Sequence, residues 1–228
     1  MRHLKTIGAA ALAACLAAGA AQAQSIGSVQ LVEVWAYGTP PTGGKQDRYV
    51  RDQVVANELV ETVANGAMHL MFSDGSELRL GSASTATLDS FVYDPGAGGG
   101  EMTVNMTRGA FRFISGKINK SAVKLRTPTA LIGIRGTDLL INVDPFGATV
   151  VSVIAGTVTV QNANGGGEAS VSAGQAVSVA AATAAPAITA PNEMDEGLED
   201  ASPGAGAGAG PGAGGAAPDQ GSSSPGED

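Results

Sequence analysis

From Ala67 to Val179 apolar residues recur at every second position in short runs, which is the period of a strand that buries one face. Met68, Leu70 and Phe72 share one parity, with Ala67, His69 and Met71 on the other. The same alternation marks Leu78-Leu80, Met102-Val104-Met106, Phe111-Phe113, Val123-Leu125, Leu139-Ile141-Val143, Thr149 to Val153, Val158-Val160, Val171 and Val177-Val179. Turn-forming residues punctuate these runs at Ser73-Asp74-Gly75-Ser76, Asp94-Pro95-Gly96, Ser115-Gly116, Asp144-Pro145-Phe146-Gly147, Asn162-Ala163-Asn164-Gly165 and Ala173-Gly174-Gln175. No helical stripe competes with them. The pattern predicts an all-β fold, many short strands in a compact roll or β-solenoid-like domain, because stacked short strands bury a core without large aromatics. Asn57 to Ala64 fits either a strand pair or a single helical turn.

The ends of the chain read differently. Arg2 to Lys5 is basic, Thr6 to Ala20 is small and apolar, and Ala21-Gln22-Ala23 supplies a small-x-small cleavage pattern. Residues 1–23 are therefore read as a secretory signal cleaved after Ala23, giving a periplasmic or secreted protein. Leu12-Ala13-Ala14-Cys15 offers a lipoprotein signal as the alternative. It is the less favoured one, because the residues after Cys15 stay apolar to Ala21. The all-β body covers 24–180. Residues 181–228 form an acidic tail, rich in Gly, Ala and Pro, that lacks any Lys, Arg or aromatic residue. It has nothing to bury against its ordering entropy and is expected to be disordered. Its eight acids equal the whole formal charge of −8.

Charge and composition remove several functions. The mature chain would hold no cysteine and one histidine, which leaves no thiolate site, no zinc set and no Ser-His-Asp constellation beyond His69 itself. No catalytic residue, metal or cofactor is expected, and no transmembrane helix in the mature chain. His69 lies opposite Leu70 and Phe72 and reads as a surface residue. Asp74 is expected to bond the backbone of its own turn before Gly75, and Asp74, Glu77 and Asp89 make only a weak calcium case. Within nineteen residues stand six cations and no acid: Arg108, Arg112, Lys117, Lys120, Lys124 and Arg126. Arg108 and Arg112 share a parity, as do Lys124 and Arg126, so each pair can project from one face. Such a strip is either a solvated edge blunted against aggregation or an anion-facing surface. An acidic protein partner, an anionic glycan or cell-wall polymer, a metal chelate and the chain's own tail are its candidate ligands. Nucleic acid is excluded by export and by the acidic balance.

The segment Thr127-Pro128-Thr129-Ala130-Leu131-Ile132-Gly133-Ile134-Arg135-Gly136-Thr137 looks placed rather than merely compatible. Gly133 and Gly136 permit positive φ or close strand approach, and Pro128 fixes the entry. Arg135 is read first as a buried or half-buried strut bonding turn carbonyls, and second as an anion-binding residue.

These residues also carry a resemblance. Phe72-Ser73-Asp74-Gly75-Ser76, then Arg108-Gly109-Ala110-Phe111-Arg112-Phe113, then Thr127-Pro128 with Ile132-Gly133-Ile134-Arg135-Gly136-Thr137, and finally Gly156 and Gly174-Gln175, resemble a FecR-like domain in this order. The resemblance implies a periplasmic module that meets another envelope protein or a ligand in sensing and signalling. It implies nothing catalytic. The chain departs from the membrane-spanning members in lacking their cytoplasmic segment and spanning helix.

Overall fold

The computed structural model describes residues 24–94, 96, 99–189 and 191; the proposed leader with Cys15, and the acidic residues from 192 onward, lie outside the described residues. Fifteen strands follow one another: β1 (Ser25–Glu33), β2 (Ala36–Thr39), β3 (Gln46–Asp47), β4 (Gln53–Val55), β5 (Glu58–Thr62), β6 (Ala67–Phe72), β7 (Glu77–Leu80), β8 (Thr85–Asp94), β9 (Gly99–Ile114), β10 (Val123–Arg126), β11 (Ala130–Val143), β12 (Thr149–Asn162), β13 (Glu168–Ser172), β14 (Ala176–Val179) and β15 (Ala187–Thr189). The only helical element among the described residues is a 3-10 turn at Lys120–Ala122. The fold is all-β, as the alternation predicts. The ambiguous stretch after Asn57 is one strand, β5, held between β2 and β8.

The predicted runs are not all separate strands. Those around Met106 and Phe111 belong to one sixteen-residue strand, β9, and β11 and β12 are fourteen residues each. Each long strand changes neighbours half-way. The first part of β9 pairs with β8 and β10, and its second part pairs with β7 and β11. Likewise β11 leaves β10 for β9, while β12 exchanges β14 for β13.

The continuous sheet therefore folds back on itself as two walls. One runs β4-β1-β6-β7, then the later halves of β9 and β11, the early half of β12, β14 and β15. The other runs β3-β2-β5-β8, the early halves of β9 and β11 with β10 between them, the later half of β12, and β13. Strands that turn a corner between walls do so at glycines with positive φ: Gly109 at 107°, Gly136 at 67° and Gly156 at 83°. The last two bends touch, and a side chain on Gly156 would overlap the Gly136 carbonyl.

Between the walls lies one apolar cluster. Met102, Val104 and Met106 fill it from one half of β9, and Phe111 and Phe113 from the other. Each such side chain contributes about 1.5 to 3 kcal/mol by leaving water. Where the edge strands β3 and β4 leave the end of this core open, a buried ion pair lines the gap. Arg48 donates from Nε (2.8 Å) and Nη2 (2.5 Å) to Glu58 Oε1, and Glu58 Oε2 accepts from the Val55 amide at 3.0 Å. The pair lies against Gly38, where any Cβ would overlap both partners.

Candidate functional site

The basic face is built by β10, the 3-10 turn before it and the first half of β11. Along β10 the sequence Val-Lys-Leu-Arg alternates strictly, so Val123 and Leu125 enter the core while Lys124 and Arg126 face solvent. Antiparallel pairing sets Lys124 opposite Gly133 and Arg126 opposite Leu131, which places Arg135 two residues further along the same outer face. Gly133 has only the Thr159 carbonyl near its would-be Cβ, at 3.9 Å, so the floor beside Lys124 is low. Asn119 caps the turn by accepting from the Ser121 amide at 3.2 Å and hydroxyl at 3.0 Å, and this turn carries Lys120 over the bend. The Lys120 stem occupies the space that a side chain at Gly136 would need, with Cε 3.2 Å from the would-be Cβ.

Four cations are thus gathered within about 15 Å by strand spacing and rise. Lys124 Nζ has one acid near it, Glu101 at 3.8 Å. The side chains of Lys120, Arg126 and Arg135 make no hydrogen bond or ion pair within the described residues. Lys117 is exposed on the loop leading into the turn, its amide bonded to the Asp74 carbonyl.

Several sequence readings need correction. Arg135 is exposed, so it is not a strut satisfying buried carbonyls; at that bend the Ser115 amide donates to the Thr137 carbonyl and the Ser115 hydroxyl accepts from the Thr137 amide, both at 3.0 Å. Gly133 has neither positive φ nor a close neighbour, unlike Gly136. Arg108 and Arg112 do not share a face, because the Gly109 bend stands between them. Arg108 stays exposed beside Thr85, whereas Arg112 joins the other wall and binds Asp138 through Nε at 3.0 Å and Nη2 at 2.8 Å.

His69 is also misplaced by parity alone. It does face away from Leu70, yet it is 2% exposed, because Leu31 of β1 and Arg79 of β7 flank it in the sheet. Its Nε2 lies 3.1 Å from Glu77 Oε2 without hydrogen-bond geometry, and Arg79 Nη2 donates to the same oxygen at 3.1 Å. Burial lowers the His69 pKa below its usual value of 6.5; Glu77 opposes this and Arg79 reinforces it. His69, Glu77, Arg79, Arg112 and Asp138 form a compensated polar row across β6, β7, β9 and β11.

The motif residues serve the fold. Asp74 Oδ1 accepts from the Ser76 amide at 3.0 Å, as expected of its turn, and Oδ2 accepts from the Ser76 hydroxyl at 2.6 Å and the Ile118 amide at 3.3 Å. Gly75 completes that turn at φ 82°. Around Pro128, the hydroxyls of Thr127 and Thr129 both meet Thr149 Oγ1, at 2.7 and 2.8 Å. Thr137 is buried with an unpartnered hydroxyl. Among the described residues no three His, Cys, Asp or Glu side chains converge as metal ligands would.

Sequence reasoning passed over two features. The Arg48–Glu58 pair was signalled only by Gly38 inside a strand, the usual mark of close approach. The other is an exposed apolar cluster of Val34, Trp35, Tyr49 and Val50, in which Trp35 Nε1 donates to Asp47 Oδ1 at 3.1 Å. The lone tryptophan of the chain was its available signal.

The family model described as "FecR protein" matches residues 58–159, from β5 through most of β12, a span that contains the whole basic face. Residues 58–159 match a FecR-like domain. Two crystal structures of a putative anti-sigma factor from Parabacteroides distasonis ATCC 8503 are similar to it. One has 14% identity and a TM-score of 0.48, the other 13% and 0.47. In both cases the match covers 59% of this chain and 60% of that one, so the chain spans less than two thirds of their length. So distant a likeness carries no argument about function. No curated protein matches the sequence. Among the described residues no helix is long and apolar enough to cross a membrane.

Proposed function

We propose that this FecR-like domain is a non-enzymatic interaction module of the cell envelope, docking on an acidic surface of another envelope protein in a sensing or signalling role. The basic face supports this reading. Elsewhere in the body Arg48, Arg79 and Arg112 each meet a carboxylate and Arg51, Arg108 and Lys117 stand exposed without one, whereas Lys120, Arg126 and Arg135 are gathered on one face without one. A fold that compensates cations within its sheets and leaves these uncompensated presents a field that steers and orients an anionic partner. The contact is electrostatic at its rim, so its strength falls as added salt shortens the Debye length below about 8 Å.

The test is in-cell crosslinking of the tagged full chain, followed by affinity capture and mass spectrometry, beside a variant carrying Lys120→Glu, Lys124→Glu and Arg126→Glu. A reproducible envelope partner for the native chain, lost in the variant at unchanged urea midpoint, is the expected result. Equal capture by both removes the basic face from the function. If neither captures a protein, but the native chain sediments with isolated cell-wall sacculi at low salt, the ligand is an anionic wall polymer instead.

A further inference from the structure

We infer that the first occupant of the basic face is the chain's own acidic segment after Pro191, which a docking partner must displace. The inference rests on the reading of that face as an anion-binding surface. It joins two independent observations, charge and exit route.

The charge is lopsided by residue. Residues 192–228 hold Glu193, Asp195, Glu196, Glu199, Asp200, Asp219, Glu227 and Asp228 with no Lys or Arg, and the formal charge of the whole chain is −8. The remainder therefore sums to zero, while Lys120, Arg126 and Arg135 bring unpaired positive charge together on one face. Five of the eight acids fall between Glu193 and Asp200. They form the densest run of carboxylates in the sequence, and it starts two residues beyond Pro191.

The exit lies at the edge of the first wall, close to the bends that join it to the basic face. After β14 the chain returns past the β12–β13 turn, where the Asn164 amide donates to the Ala182 carbonyl (3.3 Å) and Asn162 Nδ2 to the Ala184 carbonyl (3.2 Å). It then runs back as β15, and Thr189 ends opposite Ala176. Ala176 follows the loop whose Ala173 amide bonds the Gly156 carbonyl, and Gly156 packs on Gly136, the neighbour of Arg135 and the support of Lys120. Two strand steps, four residues of rise and the contact between the bends put Thr189 about 20 Å from Arg135. Eleven residues from Thr189 to Asp200 reach at most about 36 Å. Acids from Glu196 to Asp200 therefore come within reach of Arg135 and the Lys120 side of the basic face.

Tethering makes weak ion pairs sufficient. A linker this short gives an effective concentration of about millimolar, so individually marginal contacts yield substantial occupancy at low salt. An external ligand then binds with its affinity reduced by the fraction of faces left open. Only a partner denser in negative charge, or one adding apolar contacts, displaces the segment.

Zero-length carbodiimide crosslinking of the full chain tests this, with peptide mapping by mass spectrometry. Links from Lys120 or Lys124 to acids within Glu193–Asp200 are expected, independent of protein concentration and suppressed by high salt. Links distributed evenly over Lys45 and Lys117 as well, or rising with concentration as contacts between copies do, overturn the inference. A full-chain variant with Glu193→Gln, Asp195→Asn, Glu196→Gln, Glu199→Gln and Asp200→Asn is then titrated with poly-L-glutamate as probe. Several-fold tighter binding than the native chain is expected, and unchanged binding overturns the competition. If neither form binds the probe while the specific crosslinks persist, the self-contact stands and the docking reading of the face fails.

Discussion

The two walls of the fold treat the same kind of residue in opposite ways. On the first wall, Arg79 and Arg112 lie in a row with Glu77 and Asp138; Glu77 meets Arg79 from the same strand and Asp138 meets Arg112 from the neighbouring one. On the second, Arg126 and Arg135 project from equally regular strands, Lys120 from the turn before them, and the three meet no carboxylate. Arg112 and Lys120 are eight positions apart in sequence, yet one is a compensated element of the sheet and the other part of an open field. The difference lies in what the topology delivers alongside them. Strand β11 brings Asp138 to Arg112, and the same strand brings only Gly133 and Leu131 to Lys124 and Arg126.

That contrast can be broken most severely at Asp138. Replacing it by Ala removes the two-pronged carboxylate partner of the half-buried Arg112 guanidinium, and should cost about 2 kcal/mol in urea unfolding. A double-mutant cycle with Arg112→Ala should return most of that as coupling; independent, additive losses would show that the pair is incidental. His69 sharpens the contrast through pH. Its folded pKa is lowered, so the unfolded chain binds more protons near pH 6, and the stability it contributes is present above 6.5 and lost as pH falls through the lowered value. Between pH 7.5 and pH 5 the native chain should therefore lose more stability than His69→Leu does, and parallel pH profiles would assign the slope to other groups. The smallest effect is expected on the open wall. Arg135→Ala should shift unfolding by less than about 0.5 kcal/mol, as for an exposed residue without partners. A larger loss would restore the strut role that its exposure denies.

Much of this was legible in the sequence, and the failures share one cause. Alternation gave the strand faces from Ala67 to Val179, because period two follows from backbone geometry and needs no tertiary knowledge. It also gave Lys124 and Arg126 as outward residues. Parity says which side a residue takes, but not what lies across the neighbouring strand. His69 took the predicted side and was nevertheless buried by Leu31 and Arg79. Arg112 took its predicted side and met an acid twenty-six residues away. The bend at Gly109, which separates Arg108 from Arg112, inverted the simplest inference from their shared parity. The Arg48–Glu58 pair joins a loop to a strand across a glycine, and no periodicity reports such a contact.

The corner-turning strands have a mechanical consequence. Because β9, β11 and β12 each run through both walls, the walls are three times covalently continuous, and neither can swing or slide on the other without tearing ladder bonds on both sides. Such a body has no hinge to throw. On the docking reading proposed above, what such a domain passes on is carried by which surface is covered and which is bare, a tally of occupancy and not a lever.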